Sequence, residues 1–433
     1  MATGVQADIE SMAFQGYGVA RIDGKVLFVP RSVTGDRAWI KITEEKKNYS
    51  IGEVIQIIEP SPWRTNPPCP FFDRCGGCQW QHINDSTQVI LKKEILNEVL
   101  RRLGRLEDIP LFPAVPSPQP YGYRIRVQLK TKGKMIGYYK ERSHQIVDID
   151  HCPIAHPLVN EIILLLRKTS PFFFQMKEVE IDVSPEEGKG ILILHPSSFN
   201  PKIKLSLNEF LQTHSILKGM AIVGKQGFIT LGDPTLHFMV SLNQQGEENV
   251  LRLQTSPGSF FQVNLEQNQT LIRTVLEFSN VMEEEKILDL YSGVGNLSLP
   301  LALMAKEVWG IEENRTAVED ARLNAERNGM KRCHFIHGRV EDILKDWKRE
   351  RPDLIVLDPP RTGCKRALDG VVRLAPRKIV YVSCEPTTFA RDLWLFSENG
   401  YRLQRLALID MFPQTYHMEA VGLLQPNERV QGI

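Results

Sequence analysis

The segment Ile287-Leu288-Asp289-Leu290-Tyr291-Ser292-Gly293-Val294-Gly295-Asn296 decides the fold. Its apolar start reads as a buried strand from Lys286 to Leu290, and its glycines mark a turn leading into a helix. Gly293 and Gly295 carry no Cβ, so the backbone there can approach a ligand at the carboxyl end of the strand. On both sides of this turn, helical and strand patterns alternate. Helices are expected from Leu265 to Ser279, Leu297 to Ala305, Thr316 to Asn328 and Thr387 to Leu395. Strands are expected from Glu307 to Ile311, His334 to Ile336, Asp353 to Leu357 and Lys378 to Val382. Such βαβ units predict an α/β fold, a parallel sheet covered by helices.

The chain has 433 residues, which implies about two to four domains. Its 42% apolar and 24% charged residues are ordinary for a globular protein and argue against a disordered, collagen-like or coiled-coil chain. No basic-then-apolar leader is visible in MATGVQADIE, and no apolar run approaches about 18 residues, so a cytoplasmic protein without membrane spans is expected. The net charge of +1 excludes a uniformly basic coat; any nucleic-acid surface must be local.

Ser298 stands where a G-x-G-x-x-G fingerprint would place its last glycine, which disfavours a dinucleotide pyrophosphate site. Glu312 ends the second expected strand, placed to accept hydrogen bonds from a ribose. The strand, the D-x-x-x-G-x-G turn and the later acidic strand end together suggest S-adenosylmethionine (SAM), against a nicotinamide cofactor or a purely structural turn. Asp358-Pro359-Pro360-Arg361 closes another strand, and its prolines stiffen a turn that can hold a carboxylate at the same sheet edge. In methyltransferases acting on exocyclic amines a similar acid-Pro-Pro is followed by an aromatic; Arg361 here favours different chemistry.

Cys384, in Ser383-Cys384-Glu385-Pro386, lies between an apolar strand and a helix start. Helix N–H groups there would lower its pKa and favour a thiolate nucleophile, against the alternative of a small buried hydrophobe. In the loop from Asp410 to Glu419, either His417 or Glu419 could serve as a base.

The seven cysteines read as ligands or nucleophiles rather than disulfides. Cys69, Cys75 and Cys78 share a Gly/Pro-rich loop, and Cys152 is the best fourth ligand. Four thiolates suit zinc or an iron–sulfur cluster; the spacing leaves both open, and His82 or His151 could also take part. Cys333 and Cys364 are expected to be buried structural thiols.

Residues 1 to about 60 read as short strands around Val26 to Val29, Ala38 to Ile42 and Gly52 to Ile58, with a hairpin turn at Asp23-Gly24. A small OB-like barrel is the economical arrangement. A helix is expected from Ser86 to Leu103, followed by a β-rich middle. Between Tyr123 and Gln145, Arg124, Arg126, Lys130, Lys132, Lys134, Lys140 and Arg142 face only Glu141, a local charge of +6, with Tyr121, Tyr123, Tyr138 and Tyr139 interleaved. Cations can track phosphates while tyrosines stack on bases. A barrel, a basic aromatic surface and a methyl-donor site in one chain point to RNA.

Together these residues resemble the RNA uracil-C5 methyltransferase family, and within it the iron–sulfur-containing bacterial ribosomal branch, over nearly the whole chain. Gly16-Tyr17-Gly18-Val19-Ala20-Arg21 is similar to a TRAM domain, an OB-like RNA-binding barrel. The resemblance implies a 4Fe-4S cluster on Cys69, Cys75, Cys78 and Cys152. Ser256-Pro257-Gly258-Ser259-Phe260-Phe261-Gln262-Val263-Asn264 resembles the segment entering the catalytic domain, with Gln262 contacting SAM. Tyr291, Asn296, Glu312 and Asp358 fall at further SAM-site positions. Cys384 is implied as nucleophile, and Phe412-Pro413-Gln414-Thr415, followed by His417 and Glu419, as the motif carrying the base, Glu419. An asparagine or aspartate expected near Arg339 is missing, and Glu341 or backbone is expected to substitute.

The expected organisation is a TRAM barrel over residues 1–60, a central iron–sulfur domain over 61–262 and a Rossmann-like SAM-dependent methyltransferase domain over 263–433. The implied activity is formation of 5-methyluridine at one uridine of 23S ribosomal RNA by a monomer, with transfer RNA as the alternative substrate. Exocyclic-amine methylation and non-enzymatic RNA binding are the competing classes.

Overall fold

A computed structural model describes residues 4–110, 114–169, 175–197, 203–224, 227–244 and 247–427. Among these residues, the strands form four sheets. The first has six strands in the spatial order Val5–Asp8, Arg37–Glu45, Tyr49–Glu59, Lys25–Pro30, Tyr17–Ile22 and Ser11–Ala13. Alternation along these strands turns Ala20, Leu27, Val29, Ala38 and Ile40 into a small core of their own. Asp23 (φ 48°) and Gly24 (φ 80°) both take the left-handed conformation that a tight I′ hairpin turn requires.

The expected helix after the cysteine loop spans Asp85–Gly104 and is capped by Asn84, whose side chain accepts from the Thr87 N–H. Leu91, Ile95, Leu96 and Leu100 pack it into a core shared with Phe389 and Phe396 of the helix Pro386–Glu398. Lys92 sits on this buried face, and its Nζ meets Asp410 Oδ1 at 2.6 Å and Phe412 O at 3.1 Å. One turn earlier, Gln88 and Gln414 exchange hydrogen bonds: Gln88 Nε2 to Gln414 Oε1 at 3.0 Å, and Gln414 N to Gln88 Oε1 at 2.8 Å.

The central sheet has seven strands in the order Gly227–Gly232, Leu217–Gly224, Lys189–Pro196, Met176–Ser184, Arg126–Lys132, Met135–Tyr139 and Ile146–Asp148. The basic aromatic stretch occupies the strands Arg126–Lys132 and Met135–Tyr139 and the turns beside them. The structure corrects the charge reading there. Arg126 pairs with Asp182, and Lys130 with Glu178, on the neighbouring strand, so two of the expected surface cations are neutralised within the sheet. Tyr123 is buried and donates to Pro413 O at 3.0 Å. Lys132, Lys134, Tyr139, Lys140 and Arg142 remain exposed.

A hairpin of Leu236–Gln244 and Glu247–Thr255, not anticipated from the sequence, leads towards the last sheet. It docks on the helix Arg315–Arg327: Gln254 N donates to Asn324 Oδ1, while Ser256 and Ser259 hydroxyls donate to Asp320.

The last sheet consists of β1 (Lys286–Leu290), β2 (Glu307–Glu312), β3 (Cys333–His337), β4 (Leu354–Leu357), β5 (Lys378–Ser383), β6 (Tyr401–Ile409) and β7 (Glu419–Pro426). Its order is β3-β2-β1-β4-β5-β7-β6, and β7 alone runs antiparallel to its neighbours. The order reverses between β1 and β4, which opens a crevice at their carboxyl ends. The helix after the glycine turn is shorter than expected, Ser298–Ala302, because the chain must turn at once to enter β2. No described helix is long and apolar enough to cross a membrane.

Removing one partner of a buried ion pair leaves an uncompensated charge. Lys92→Met should therefore lower unfolding stability by about 3–5 kcal/mol in urea titrations. Lys92→Met with Asp410→Leu should recover most of that loss.

Candidate active site

The residues nominated from the sequence for cofactor and chemistry surround one cavity of about 520 Å³ at the switch point of the last sheet. Gln262, Tyr291, Asn296, Glu312, Asp358, Cys384 and Glu419 all line it. Arg124, Phe260, Phe261, Arg361 and Phe412 complete the walls, and these the sequence reading had not placed there.

The glycine turn forms one end. Tyr291 leaves β1 with φ 66°, a costly conformation for a residue with a Cβ, and so aims the chain away from the sheet. Gly295 has φ 89°, a conformation that residues with a side chain rarely adopt, and a Cβ there would stand 2.3 Å from Leu299 Cδ1 and force it to move. Ser298, the departure from the dinucleotide pattern, donates to Asp289 at the base of the turn. Burial pushes the Asp289 carboxyl up to about 7; the Ser298 bond pulls it down, while Asp358 and Glu312 add to the rise. Glu312 is held by two backbone donors, Gly293 N to Oε2 at 3.1 Å and Asn314 N to Oε1 at 2.7 Å. Its remaining lone pairs are available to ligand hydroxyls. Asn296 and Asn268 exchange amide hydrogen bonds of 2.8 Å, which ties the turn to the helix Leu265–Ser279.

Asn264 caps that helix by accepting from Gln267 N, and its amide donates to Met411 O at 3.2 Å. One cap thus positions both the Gln262 segment and the loop that precedes Glu419.

The other end holds the titratable groups. Cys384 follows β5 and precedes the helix Pro386–Glu398. The expected lowering of its pKa does not occur. Burial, then Glu419, then Asp358 push the thiol up to about 12, and Arg361, hydrogen-bonded to the sulfur, opposes them. Burial, with the two carboxyl groups behind it, thus outweighs the helix end. Burial and Asp358 raise the Glu419 carboxyl well above its usual range, again against Arg361. Burial and Glu312 raise Asp358. His417, the other base considered, is outside the cavity lining. Burial, with Arg361, Lys92 and Arg124, lowers it to about 3, so the ring is neutral. Glu341, expected to substitute near Arg339, ion-pairs with Arg339, and neither residue lines the cavity.

Arg361 was visible as an anomaly after Asp-Pro-Pro, but only the fold shows it reaching Cys384. Arg124, first cation of the basic stretch, enters the cavity because its backbone bridges to Ala155 and Asn264.

Cys69, Cys75, Cys78 and Cys152 are free thiols, and the first three all lie within electrostatic reach of Cys152. No three of these sulfurs fall within 4.8 Å of one another. Tyr138 hydrogen-bonds to Cys152. His82 Nε2 faces Ser32 O at 3.2 Å and His151 Nδ1 faces Asp150 at 2.8 Å. Cys333 and Cys364 are buried, as expected.

Residues 229–427 match the family model described as tRNA (Uracil-5-)-methyltransferase. Residues 5–63 match the TRAM domain of tRNA (uracil(54)-C(5))-methyltransferase. An uncharacterised RNA methyltransferase of Halalkalibacterium halodurans is 33% identical, over 97% of this chain and 96% of its own length. One of Aquifex aeolicus is 34% identical, over 96% and 97%. The chain belongs to the SAM-dependent RNA uracil-C5 methyltransferase family. Within this family, the crystal structure of the Pyrococcus abyssi tRNA (uracil-54, C5)-methyltransferase with S-adenosyl-L-homocysteine superposes with a TM-score of 0.74 at 27% identity. The superposition covers 96% of this chain and 99% of that one.

Two outcomes follow from the electrostatics. At pH 8 and without ligands, Cys384 should react with iodoacetamide at least about 100-fold more slowly than a free thiol of pKa near 8.5. Arg361→Ala should slow it further, with both rates read by peptide mass mapping. Asp289, with its pKa raised to about 7, holds a proton in the folded state that the unfolded chain releases near pH 4. Its contribution to stability therefore declines between about pH 4 and pH 7, and Asp289→Asn should flatten that part of the urea-midpoint profile.

Proposed function

We propose that the protein methylates C5 of one uridine in 23S ribosomal RNA, forming 5-methyluridine through a covalent adduct on Cys384. The observation that carries this reading is the single cavity in which Cys384, Arg361, Asp358 and Glu419 meet the glycine turn. An amine methyltransferase would leave Cys384 and Glu419 without work. A binding-only protein would have no need of a buried carboxyl group raised beside a thiol.

The cavity fits SAM: it is walled by the backbone of the glycine turn at Ser292, Gly293 and Val294, and Glu312 is fixed by backbone N–H groups with lone pairs to spare. Gln262, Tyr291, Asn296, Glu312 and Asp358 would hold it, and when bound it supplies an electrophilic methyl group. Uracil C5 alone is too weak a nucleophile. Addition of the Cys384 sulfur to C6 forms an S–C bond and moves the C5–C6 electron pair onto C5 and the adjoining carbonyl. Arg361 favours the thiolate needed for that addition. After methyl transfer to C5, Glu419 takes the C5 proton and elimination breaks the S–C6 bond, returning Cys384. The burial that raises Glu419 makes its ionised form a stronger base than an exposed carboxylate. Asp358 shapes the pocket. The uridine must leave any stack to reach Cys384.

In this reading residues 1–60 grip RNA, 61–262 select it and 263–433 carry the chemistry, in a cytoplasmic monomer. Cys69, Cys75, Cys78 and Cys152 would hold a 4Fe-4S cluster that orders their loop. Three thiols on one loop, each within electrostatic reach of Cys152, are a donor set that suits such a cluster. Transfer RNA is the second reading for the substrate, favoured by the likeness to the Pyrococcus abyssi enzyme.

Tritium release from RNA carrying [5-³H]uridine tests the chemistry, since methylation at C5 expels that hydrogen. With SAM, unmodified 23S ribosomal RNA should release tritium, and release from transfer RNA alone would establish the second substrate. Cys384→Ala should abolish release. Glu419→Gln should accumulate a denaturation-resistant protein–RNA adduct with release lowered at least about 100-fold. Full activity of Cys384→Ala would overturn the mechanism.

A further inference from the structure

A second cavity, of about 540 Å³, is built from four separate parts of the chain. Tyr17 comes from the N-terminal sheet, Gln79 from the cysteine loop, Tyr139, Lys140 and Arg142 from the basic hairpin, and Tyr416 from the loop before Glu419. Resting on the uracil-C5 reading above, we propose that this cavity takes one unstacked nucleotide of the substrate RNA, next to the target uridine, whose base carries an N–H or amine donor.

Its chemistry is that of base and phosphate recognition. Tyr139 is 37% exposed and offers a stacking surface. Lys140 and Arg142 are exposed cations beside it, suited to a phosphate. The Arg142 guanidinium lies 5.4 Å over the Tyr17 ring and donates to its hydroxyl at 2.6 Å, which holds both at the wall. Gln79 gives direction. Its Nε2 donates to Gly76 O at 3.0 Å, but its Oε1 is buried with no hydrogen-bond partner among the described residues. A buried carbonyl oxygen without a donor is destabilising, and a turn of the Gln79 side chain, which lines the cavity, would offer it to a base amine or imino N–H.

Tyr416, which lines the second cavity, belongs to the loop that leads to Glu419. Arg361 and Glu385 act on its hydroxyl from the catalytic side, and Tyr17 and Glu141 from the second cavity. Tyr416 also packs on His417 at 4.1 Å, within the segment that leads to Glu419. The loop wall is fixed in place: Gly76 N donates to Tyr139 O at 3.0 Å, and Gln79 N and Trp80 N donate to Gln414 O.

The test pairs protein variants with abasic RNAs. A fragment that wild-type protein methylates is made with one abasic site at each position flanking the uridine in turn, and binding is read by fluorescence anisotropy. Wild-type protein should lose about tenfold in affinity at one flanking position. Tyr139→Ala and Gln79→Met should each weaken binding of intact RNA, yet bind the RNA abasic at that position no more weakly than wild-type protein does. Tyr139→Ala changes an exposed side chain and guards against a folding defect in Gln79→Met. Indifference of wild-type protein to every abasic site, or equal losses by the variants on all RNAs, would overturn the proposal. Tritium release by wild-type protein is measured on the same RNAs, so a failure of the uracil-C5 reading shows separately from a failure of this site.

Discussion

The buried ion pair between Lys92 and Asp410 is the constraint on which the catalytic geometry rests. Lys92 belongs to the helix that follows the cysteine loop, and Asp410 opens the loop that ends at Glu419. Desolvating both charges is costly, and their contact at 2.6 Å offsets that cost only if the two segments keep one relative position. The exchanged amides of Gln88 and Gln414 and the Tyr123 hydroxyl on Pro413 O add directional bonds to the same loop. Glu419 is therefore placed by elements more than three hundred residues earlier in the chain, since Gln88 and Gln414 stand 326 positions apart.

Within the cavity the governing effect is burial, and the crowding of carboxyl groups adds to it. Asp289, Glu312, Asp358 and Glu419 converge on a space out of water, with Arg361 and Arg124 in its walls. Loss of water first, and then the nearness of the other carboxyl groups, disfavours each ionised form, which is why Asp289, Asp358 and Glu419 are all raised and the Cys384 thiol with them. Such a site favours ligands that bring positive charge and keeps a nucleophile quiet until its target is present. A thiol poised low by a helix end would instead be open to oxidation and stray alkylation.

The same packing that fixes the catalytic loop brings the cysteine loop, the basic hairpin and the N-terminal sheet to one edge of the cavity. Arg124 enters the cavity while Tyr139, Lys140 and Arg142 stand beside Tyr416. The surface that would receive RNA is thus assembled from segments far apart in sequence.

Much was legible in the chain itself. The strand pattern, the glycine turn and the helix boundaries follow from local periodicity and from residues with few backbone options, as the observed Leu265–Ser279 and Lys286–Leu290 illustrate. Motif order also nominated seven of the residues that line the cavity. Electrostatics were not legible. The depressed thiol expected at Cys384 rested on its own helix end, whereas its true neighbours, Glu419, Asp358 and Arg361, arrive from β7 and the turn after β4. The +6 stretch likewise lost Arg126 and Lys130 to Asp182 and Glu178 on an adjacent strand. Local sequence determined which elements form and where the backbone turns, because those depend on near neighbours. Only the tertiary structure decided which charges are paired, buried or free, because Coulomb interactions and desolvation depend on distances in space that chain separation does not encode.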